Sequence, residues 1–396
     1  MRRCAMSERA RSALATLAVV GALAVGALVL EGCSEGTQQP TPGTGAPIDG
    51  IRFLGESGTA AGFARADGPR RFVFPRDHGS HPDYRSEWWY FTGNLFTEAG
   101  RHYGFELTFF RVALAANAAP RESAWGSTQV WLAHFAVTDT KGRHFVAAER
   151  SARGALGLAG AAGSPFEVFV EDWSAREDDG PGGPIRLSAK TDAAAIELEL
   201  TGLESGIVLQ GEDGLDRKGP EPGNASYYYS APRLAARGTV TVAGERAVDV
   251  AGLAWLDREW GTSALSPGIE GWDWFGLELD DGRNLMFYRL RRDDGMASEW
   301  SGGTLVDATG RRERLGAGDV ELEVLERWRS ETTGVSYPVA WKLRVPRAGL
   351  ELEVRPRLRD QEIDLSVRYW EGAVAVEGRS RGAAVAGAGY LELAGY

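Results

Sequence analysis

From Glu87 to the end of the chain, apolar and polar residues alternate with a period of two. E-W-W-Y-F-T-G-N-L-F leads into the turn Thr97-Glu98-Ala99-Gly100, and R-H-Y-G-F-E-L-T-F-F-R follows, with Tyr103, Phe105, Leu107 and Phe109 on one face. Successive side chains of a strand point to opposite faces, so this pattern predicts a β-hairpin. Residues 129–137 and 143–148 predict a second hairpin around Asp139-Thr140-Lys141-Gly142, and residues 185–189 and 196–200 a third. Residues 350–354 and 363–367 form a late pair around Pro356–Gln361. Only residues 319–329 carry a trace of helical period, and they fit a strand equally well. Ser164–Gly183, with its glycines and the acidic run Glu177-Asp178-Asp179, reads as an irregular insertion. The chain is all-β, and many strands of similar length imply sandwiches or closed barrels.

A weak internal repeat divides it. Glu87–Arg111 and Gly271–Arg292 each open on a Trp-rich strand, pass an acidic-Gly turn and close on an aromatic strand ending in arginine. Trp88 and Tyr90 correspond to Trp272 and Trp274. The reading is two related antiparallel barrels in tandem, over residues 69–262 and 263–396.

Ahead of the barrels the pattern changes. Arg2, Arg3, Arg9 and Arg11 precede the uncharged run Ser12–Leu30, which ends Leu30-Glu31-Gly32-Cys33. This is the form of an export signal, and residues 1–33 resemble a bacterial lipoprotein leader with Cys33 as the lipidated residue. The run is also about long enough to be an uncleaved transmembrane anchor. Cys4 would leave with the leader, so Cys33 would be the one cysteine of the mature chain, with no intramolecular disulfide and no Cys-based metal site. Residues 34–68 form a tether whose polar, Pro- and Gly-rich first part cannot bury a core. The expected location is outside the cytoplasm, membrane-anchored, on the periplasmic or outer-membrane face. A formal net charge of −11 argues against nucleic-acid binding, which needs a basic face.

The chemistry-bearing stretch is Trp255–Trp274, with four of the thirteen tryptophans in twenty residues, interleaved with Asp257, Arg258, Glu259, Glu270 and Asp273. A carboxylate beside indole rings is desolvated, and its pKa tends to rise. The same residues also fit an ordinary domain interface in which charges pair. Upstream, Asp77–Tyr90 holds two histidines and three acids, but turn and strand-start roles explain them better than a metal, since the spacing matches no metal motif. His81 and Glu87 remain candidate polar groups of a pocket. In Ser226-Tyr227-Tyr228-Tyr229-Ser230, alternation puts Tyr227 and Tyr229 on one face and Tyr228 on the other.

The segments A-W-L-D-R-E-W-G-T-S-A-L and G-W-D-W-F-G-L-E-L-D-D-G-R-N-L-M-F-Y-R-L-R resemble the signature of the AttH and carotenoid 1,2-hydratase (hydroxyneurosporene synthase) family. H-P-D-Y-R-S-E-W-W-Y-F-T-G-N-L, G-F-E-L-T-F-F-R, Y-W-E-G-A-V-A-V-E-G and G-Y-L-E-L-A-G-Y are similar to the rest of it. The resemblance implies two lipocalin-like (calycin) barrels and an apolar pocket for isoprenoid or other lipidic ligands; no cofactor and no metal are expected. Where the hydratase branch places His and Trp in an H-E-W segment, this chain has Arg258-Glu259-Trp260. Where that branch places Tyr-x-Asp, it has Tyr288-Arg289-Leu290. Arginine does not lose its proton in a protein, so an acid would have to be Asp257, Glu259 or Asp273. Trp88, Tyr90, Trp272 and Trp274 are expected to line a β-barrel pocket. Trp255, Arg258, Trp260 and Tyr288 join His81 and Glu87 as further ligand-binding candidates. The first functional reading is an exported lipoprotein that binds an apolar molecule. The second is an acid-catalysed hydratase, cyclase or isomerase of an isoprenoid, and the third an adaptor passing lipids to an envelope ABC transporter. On the binding reading, Arg258 would pair with Asp257 or Glu259, or meet an anionic head group.

Overall fold

The computed structural model describes residues 60–116, 122–178, 180, 182–242, 244–262 and 265–396, together with the backbone of Ile48–Asp49. Strand accounts for 60% and helix for 3% of the chain. The strands form two antiparallel sheets of the same plan. In the first, Ser86–Phe96, His102–Ala113, Gln129–Asp139 and His144–Arg153 run outward as a meander. The chain then re-enters at the other edge with Ala159–Gly163 and meanders back until Val248–Gly261 pairs with Ser86–Phe96. In the second sheet, Ile269–Leu279 opens an outward meander that ends at Arg312–Gly316. The return runs from Glu321–Arg329 to Ala383–Ala394, which pairs with Ile269–Leu279. In each sheet the two edges are consecutive strands joined by a short link, so the sheet curls nearly closed. Two lipocalin-like barrels result, as the alternation and the resemblance implied.

One local expectation changes and an open one is decided. Ser164–Gly183 contains two strands, Phe166–Val170 and Trp173–Glu177, because F-E-V-F-V and W-S-A-R-E alternate and bury Phe166, Val168, Val170, Trp173 and Ala175. Residues 321–329 form a strand rather than a helix. The repeat's turns hold in detail, since Gly100 at φ +78° and Gly282 at φ +86° occupy the left-handed conformation that glycine adopts without strain.

The interior of each barrel holds a hydrophobic core. In the first, Trp89, Phe91, Phe105, Leu107, Phe109 and Phe135 meet Ile196, Leu198 and Leu187 from the returning strands. In the second, Phe275, Leu277, Phe287, Trp341, Trp370 and Leu391 do the same. The neighbouring residues on those strands therefore point outward. On the facing sides of the two barrels these outward residues meet each other: Tyr90 Oη donates to Glu371 at 2.6 Å, Asn94 Nδ2 to the Gly389 carbonyl at 3.1 Å, and Thr138 Oγ1 to Gln361 at 2.7 Å.

Candidate functional site

Between those facing sides the barrels do not meet fully, and a cavity remains, about 130 Å³ of it open to the centre of a water-sized molecule. One wall comes from the first sheet, with Trp88, Tyr90, Phe110, Tyr228, Asp257 and Glu259. The other comes from the second, with Trp272, Trp274, Tyr288, Leu290, Tyr369 and Glu392. The expected pocket inside a barrel is thus corrected. The barrel interiors are filled by large side chains, and the open space lies on the outer faces between them.

Register explains the wall. In the first sheet, Tyr90 is opposite Asp257, and Trp88 opposite Glu259. In the second, Trp274 is opposite Glu392. The opening strand of each sheet supplies aromatics, and the closing strand supplies a carboxyl beside the second of them. The sequence repeat that pairs Trp88 and Tyr90 with Trp272 and Trp274 is a repeat in the cavity wall.

Asp257 is the most heavily supported acid. Its Oδ1 accepts from Ser230 Oγ at 2.5 Å and from Trp255 Nε1 at 2.6 Å, and its Oδ2 accepts from Tyr228 Oη. The Trp274 indole in turn donates to Tyr228 Oη at 3.2 Å. Burial pushes the Asp257 pKa up to about 7, against the hydrogen bonds from Ser230, Tyr228 and Trp255 that favour its charged form. Across the cavity, Glu392 accepts from Trp272 Nε1 at 2.6 Å, and burial raises its pKa to about 7 as well. Among the described residues, neither acid has a cation in hydrogen-bond contact. Both can therefore hold or release a proton near neutrality.

A second polar group closes one side. Lys218 Nζ is bonded to Glu259 and lies 5.7 Å from the Trp88 and Tyr288 ring centroids. Burial works against the ammonium, but the charges of Glu259 and Asp216 outweigh it and raise the Lys218 pKa above its ordinary value. Tyr288 Oη donates to Asp216 at 2.9 Å, and burial lifts the Asp216 pKa to about 6. Behind the wall, burial also raises Glu371, bonded to Tyr90, and takes Glu106 up to about 8. Among the described residues, no group of three or more His, Cys, Asp or Glu is placed to hold a metal ion.

Alternation sorts the sequence candidates. Trp88, Tyr90, Asp257, Glu259, Trp272, Trp274 and Tyr288 line the cavity. Trp255 stands just behind, bonded to Asp257 and edge-on to Trp274 at 5.9 Å. Glu87, Arg258 and Trp260 are one residue out of phase and face the other way. Glu87 is clamped by Arg111 and Arg258, so Arg258 pairs with neither Asp257 nor Glu259. The His81 ring is stacked on Trp260, 3.8 Å between centroids and 4° between planes, outside the cavity. Asp273, flanked by the two cavity tryptophans, points into the second barrel, where Arg289 at 2.6 Å, Arg291 at 3.1 Å and Tyr396 Oη at 2.5 Å hold it. It is removed as a candidate acid. Cys33 lies outside the described residues.

Sequence reasoning missed Asp216, Lys218, Glu371 and Glu392. Glu371 and Glu392 carried a signal, each a lone carboxylate in an apolar or aromatic strand, Y-W-E-G-A-V and Y-L-E-L-A. Asp216 and Lys218 sit around the short Leu215–Arg217 strand, where no period marks them.

A tandem lipocalin-like molecule with an acid-bearing aromatic cavity between its barrels is the class that fold and site define. The chain belongs to the AttH-like family, whose model matches residues 65–396. A structure described as an AttH of Nitrosomonas europaea is 35% identical, with a TM-score of 0.74 over 84% of this chain and 100% of that one. Kievitone hydratase of Nectria haematococca shares the fold at 15% identity, with a TM-score of 0.63 over 84% of this chain and 98% of that one. Among curated relatives, kievitone hydratase of Fusarium solani subsp. phaseoli is 24% identical over 200 residues, 48% of this chain and 54% of that protein. Dehydratase asqC of Emericella nidulans is 24% identical over 159 residues, 36% of this chain and 42% of that protein. The chain thus spans about half the length of the curated relatives it matches.

Proposed function

We propose that the cavity between the barrels carries out acid–base hydration, or the reverse dehydration, of an apolar unsaturated molecule of isoprenoid type. The observation that carries this is Asp257, a buried carboxyl on an aromatic wall with neutral donors alone around it and a pKa near 7. The naming of two weak relatives as a hydratase and a dehydratase points the same way. In the hydration direction, the Asp257 proton goes to one alkene carbon, and a tertiary cation develops among the rings of Trp88, Trp272 and Trp274. Aromatic faces stabilise such a cation without quenching it. A water molecule adds its oxygen to the cation, and the proton it sheds goes to Glu392 on the opposite wall. Proton return from Glu392 to Asp257 restores the starting state. Lys218 holds Glu259 and Asp216 in place beside the site.

The test is incubation with acyclic isoprenoids such as lycopene in water labelled with oxygen-18, with hydroxylated product sought by mass spectrometry. Labelled alcohol should form, and Asp257→Asn should lower the rate by about 10²–10⁴-fold, the usual worth of a positioned general acid. Unchanged turnover in Asp257→Asn would remove the assignment.

A second reading is binding without turnover. Leu290 favours it, because it lies on the cavity wall where the hydratase branch carries Asp. In that case a lipid should quench tryptophan fluorescence, more weakly in Trp272→Ala, with no labelled product. The proposal also keeps the chain exported and acylated at Cys33. Labelled fatty acid is then expected to enter the wild type and not Cys33→Ser, and equal labelling would reject it. Delivery to an ABC transporter is a further proposal, to be rejected if no transporter subunit co-purifies from the host membrane.

A further inference from the structure

The large apolar side chains left in water are not spread evenly. Among the described residues, the four most exposed are Met296 at 65%, Leu114 at 63%, Leu156 at 56% and Trp125 at 54%. Singly scattered exposed apolar residues need no explanation. These four lie on loops at one end of the molecule, the end at which Ser86, Leu265 and Val367 line the cavity.

The placement follows from register and hydrogen bonds. Ser86 lines the cavity and is paired with Val112, one residue before that strand ends at Ala113. The loop that leaves there carries Leu114 and Trp125, and Leu114 N donates to the Thr128 carbonyl at 2.8 Å where the loop returns. Leu156 follows Gly154, which sits so close to the base of that loop that a Cβ would lie 2.9 Å from Trp131 Nε1 and 3.0 Å from Gln129 Cβ. From the second sheet, Leu290 lines the cavity, and the loop after Arg292 carries Met296, whose carbonyl accepts from Arg292 N at 2.9 Å. Asp293 N in the same loop donates to Gly268, in the segment that begins with the cavity residue Leu265. The less exposed Phe96, at 39%, marks the opposite end of the first sheet.

The N-terminal segment reaches the body at this end too. Ile48 pairs with Val367, a cavity residue. Ala64 accepts from Thr262 Oγ1 at 2.5 Å, and Thr262 Oγ1 accepts from Arg85 N at 3.1 Å, beside Ser86. Fourteen residues separate Cys33 from Ile48. Fully extended, that length spans at most about 50 Å.

We propose that the loops bearing Leu114, Trp125, Leu156 and Met296 form a rim that inserts into a phospholipid surface, so that the cavity opens onto the bilayer and takes its apolar ligand from it. The four side chains present apolar area on three loops, as shallow insertion requires, and Trp125 suits the boundary between head groups and acyl chains. A tether of that length would let an acyl group on Cys33 and the rim share one membrane. The rim itself does not depend on acylation or on turnover.

The experiment uses the chain from Ser34 onward, since the apolar run of residues 12–30 would itself enter a bilayer. Flotation with vesicles of phosphatidylethanolamine and phosphatidylglycerol is compared for this chain, the double variant Leu114→Ser/Trp125→Ser, Met296→Ser and Phe96→Ser. The parent should float with the vesicles. The double variant should partition at least tenfold more weakly and Met296→Ser a few-fold more weakly, in line with the area each removes. Phe96→Ser should stay within twofold of the parent, and circular dichroism should show all four folded. A parent that stays with the soluble fraction, or an equal loss in Phe96→Ser, overturns the proposal. So does a lipid-free dimer that the double variant dissolves, which would make the rim an interface between copies of the chain.

Discussion

Two faces of the same strands carry buried carboxyls and, apart from Glu259, which Lys218 pairs on the cavity side, they treat them in opposite ways. On the face turned into the barrels, Glu87 lies between Arg111 and Arg258, and Asp273 between Arg289 and Arg291. Burial works against the Glu87 carboxylate, but the two guanidinium charges outweigh it and hold its pKa far below the ordinary range. On the cavity face, Asp257 and Glu392 receive donors from Ser230, Tyr228, Trp255 and Trp272, all of them neutral. Burial then prevails and both titrate near 7. A paired carboxyl is fixed in one state and serves as structure. An unpaired one, solvated by neutral groups, keeps two states within reach, which is what proton transfer demands.

The largest expected effect breaks the paired side. Glu87→Ala leaves two buried guanidinium groups without their carboxylate and should cost about 3–5 kcal/mol in urea unfolding. Asp257→Asn, which replaces a carboxyl already half neutral, should cost far less under the same conditions. Equal costs would erase the distinction between the faces.

A smaller effect appears in the pH dependence of stability. For Asp257 and Glu392 the folded pKa is about 7, above the unfolded value near 4. Between those values the native state binds more protons than the unfolded state. Their contribution is therefore full below about pH 4 and is lost as pH rises through about 7. Asp257→Asn should flatten the fall in urea midpoint over that window, by at most about 1.4 kcal/mol per unit of its shift. Glu87 has the opposite sign, its contribution being present above the ordinary carboxyl range and lost only as the solution is made strongly acidic. A slope unchanged in Asp257→Asn would mean that the carboxyl is ionised in the native protein.

The smallest effect sharpens the role of the neutral donors. Trp272→Phe removes the indole N–H that favours the charged form of Glu392. Its pKa, followed by carboxyl carbon-13 resonance, should rise by up to about one unit, the worth of one net hydrogen bond. A fall would show that Trp272 acts on Glu392 by some other route.

Alternation in the sequence was enough for the all-β fold, and the family motifs were enough for the lipocalin-like barrels. The internal repeat also matched Trp88 and Tyr90 with Trp272 and Trp274, which all line the cavity. What alternation could not say is which face of each strand becomes interior. Both carry aromatics and charges, as Trp88 beside Trp89 and Asp257 beside Arg258 show, and the choice is made only when distant strands close the sheet. Asp273 and Arg258 were a different oversight, each named as a site residue together with its immediate strand neighbour. Strict period-two geometry already placed them opposite their tryptophan and aspartate neighbours, a constraint that could have been applied to the sequence. Glu392 lies more than a hundred residues from Asp257 and reaches the same cavity only through the pairing of Ala383–Ala394 with Ile269–Leu279.

Placing the cavity on the outer faces has a consequence for how such a molecule can diversify. A pocket inside a barrel shares its side chains with the core, so each change of ligand shape is also a repacking problem. Here the hydrophobic cores of the two barrels and the cavity wall are made of separate residues on the same strands. Trp272 or Leu290 can be exchanged while Phe275, Leu277 and Phe287 keep their packing. Descendants of one scaffold can then acquire different chemistries without first having to rebuild what keeps them folded.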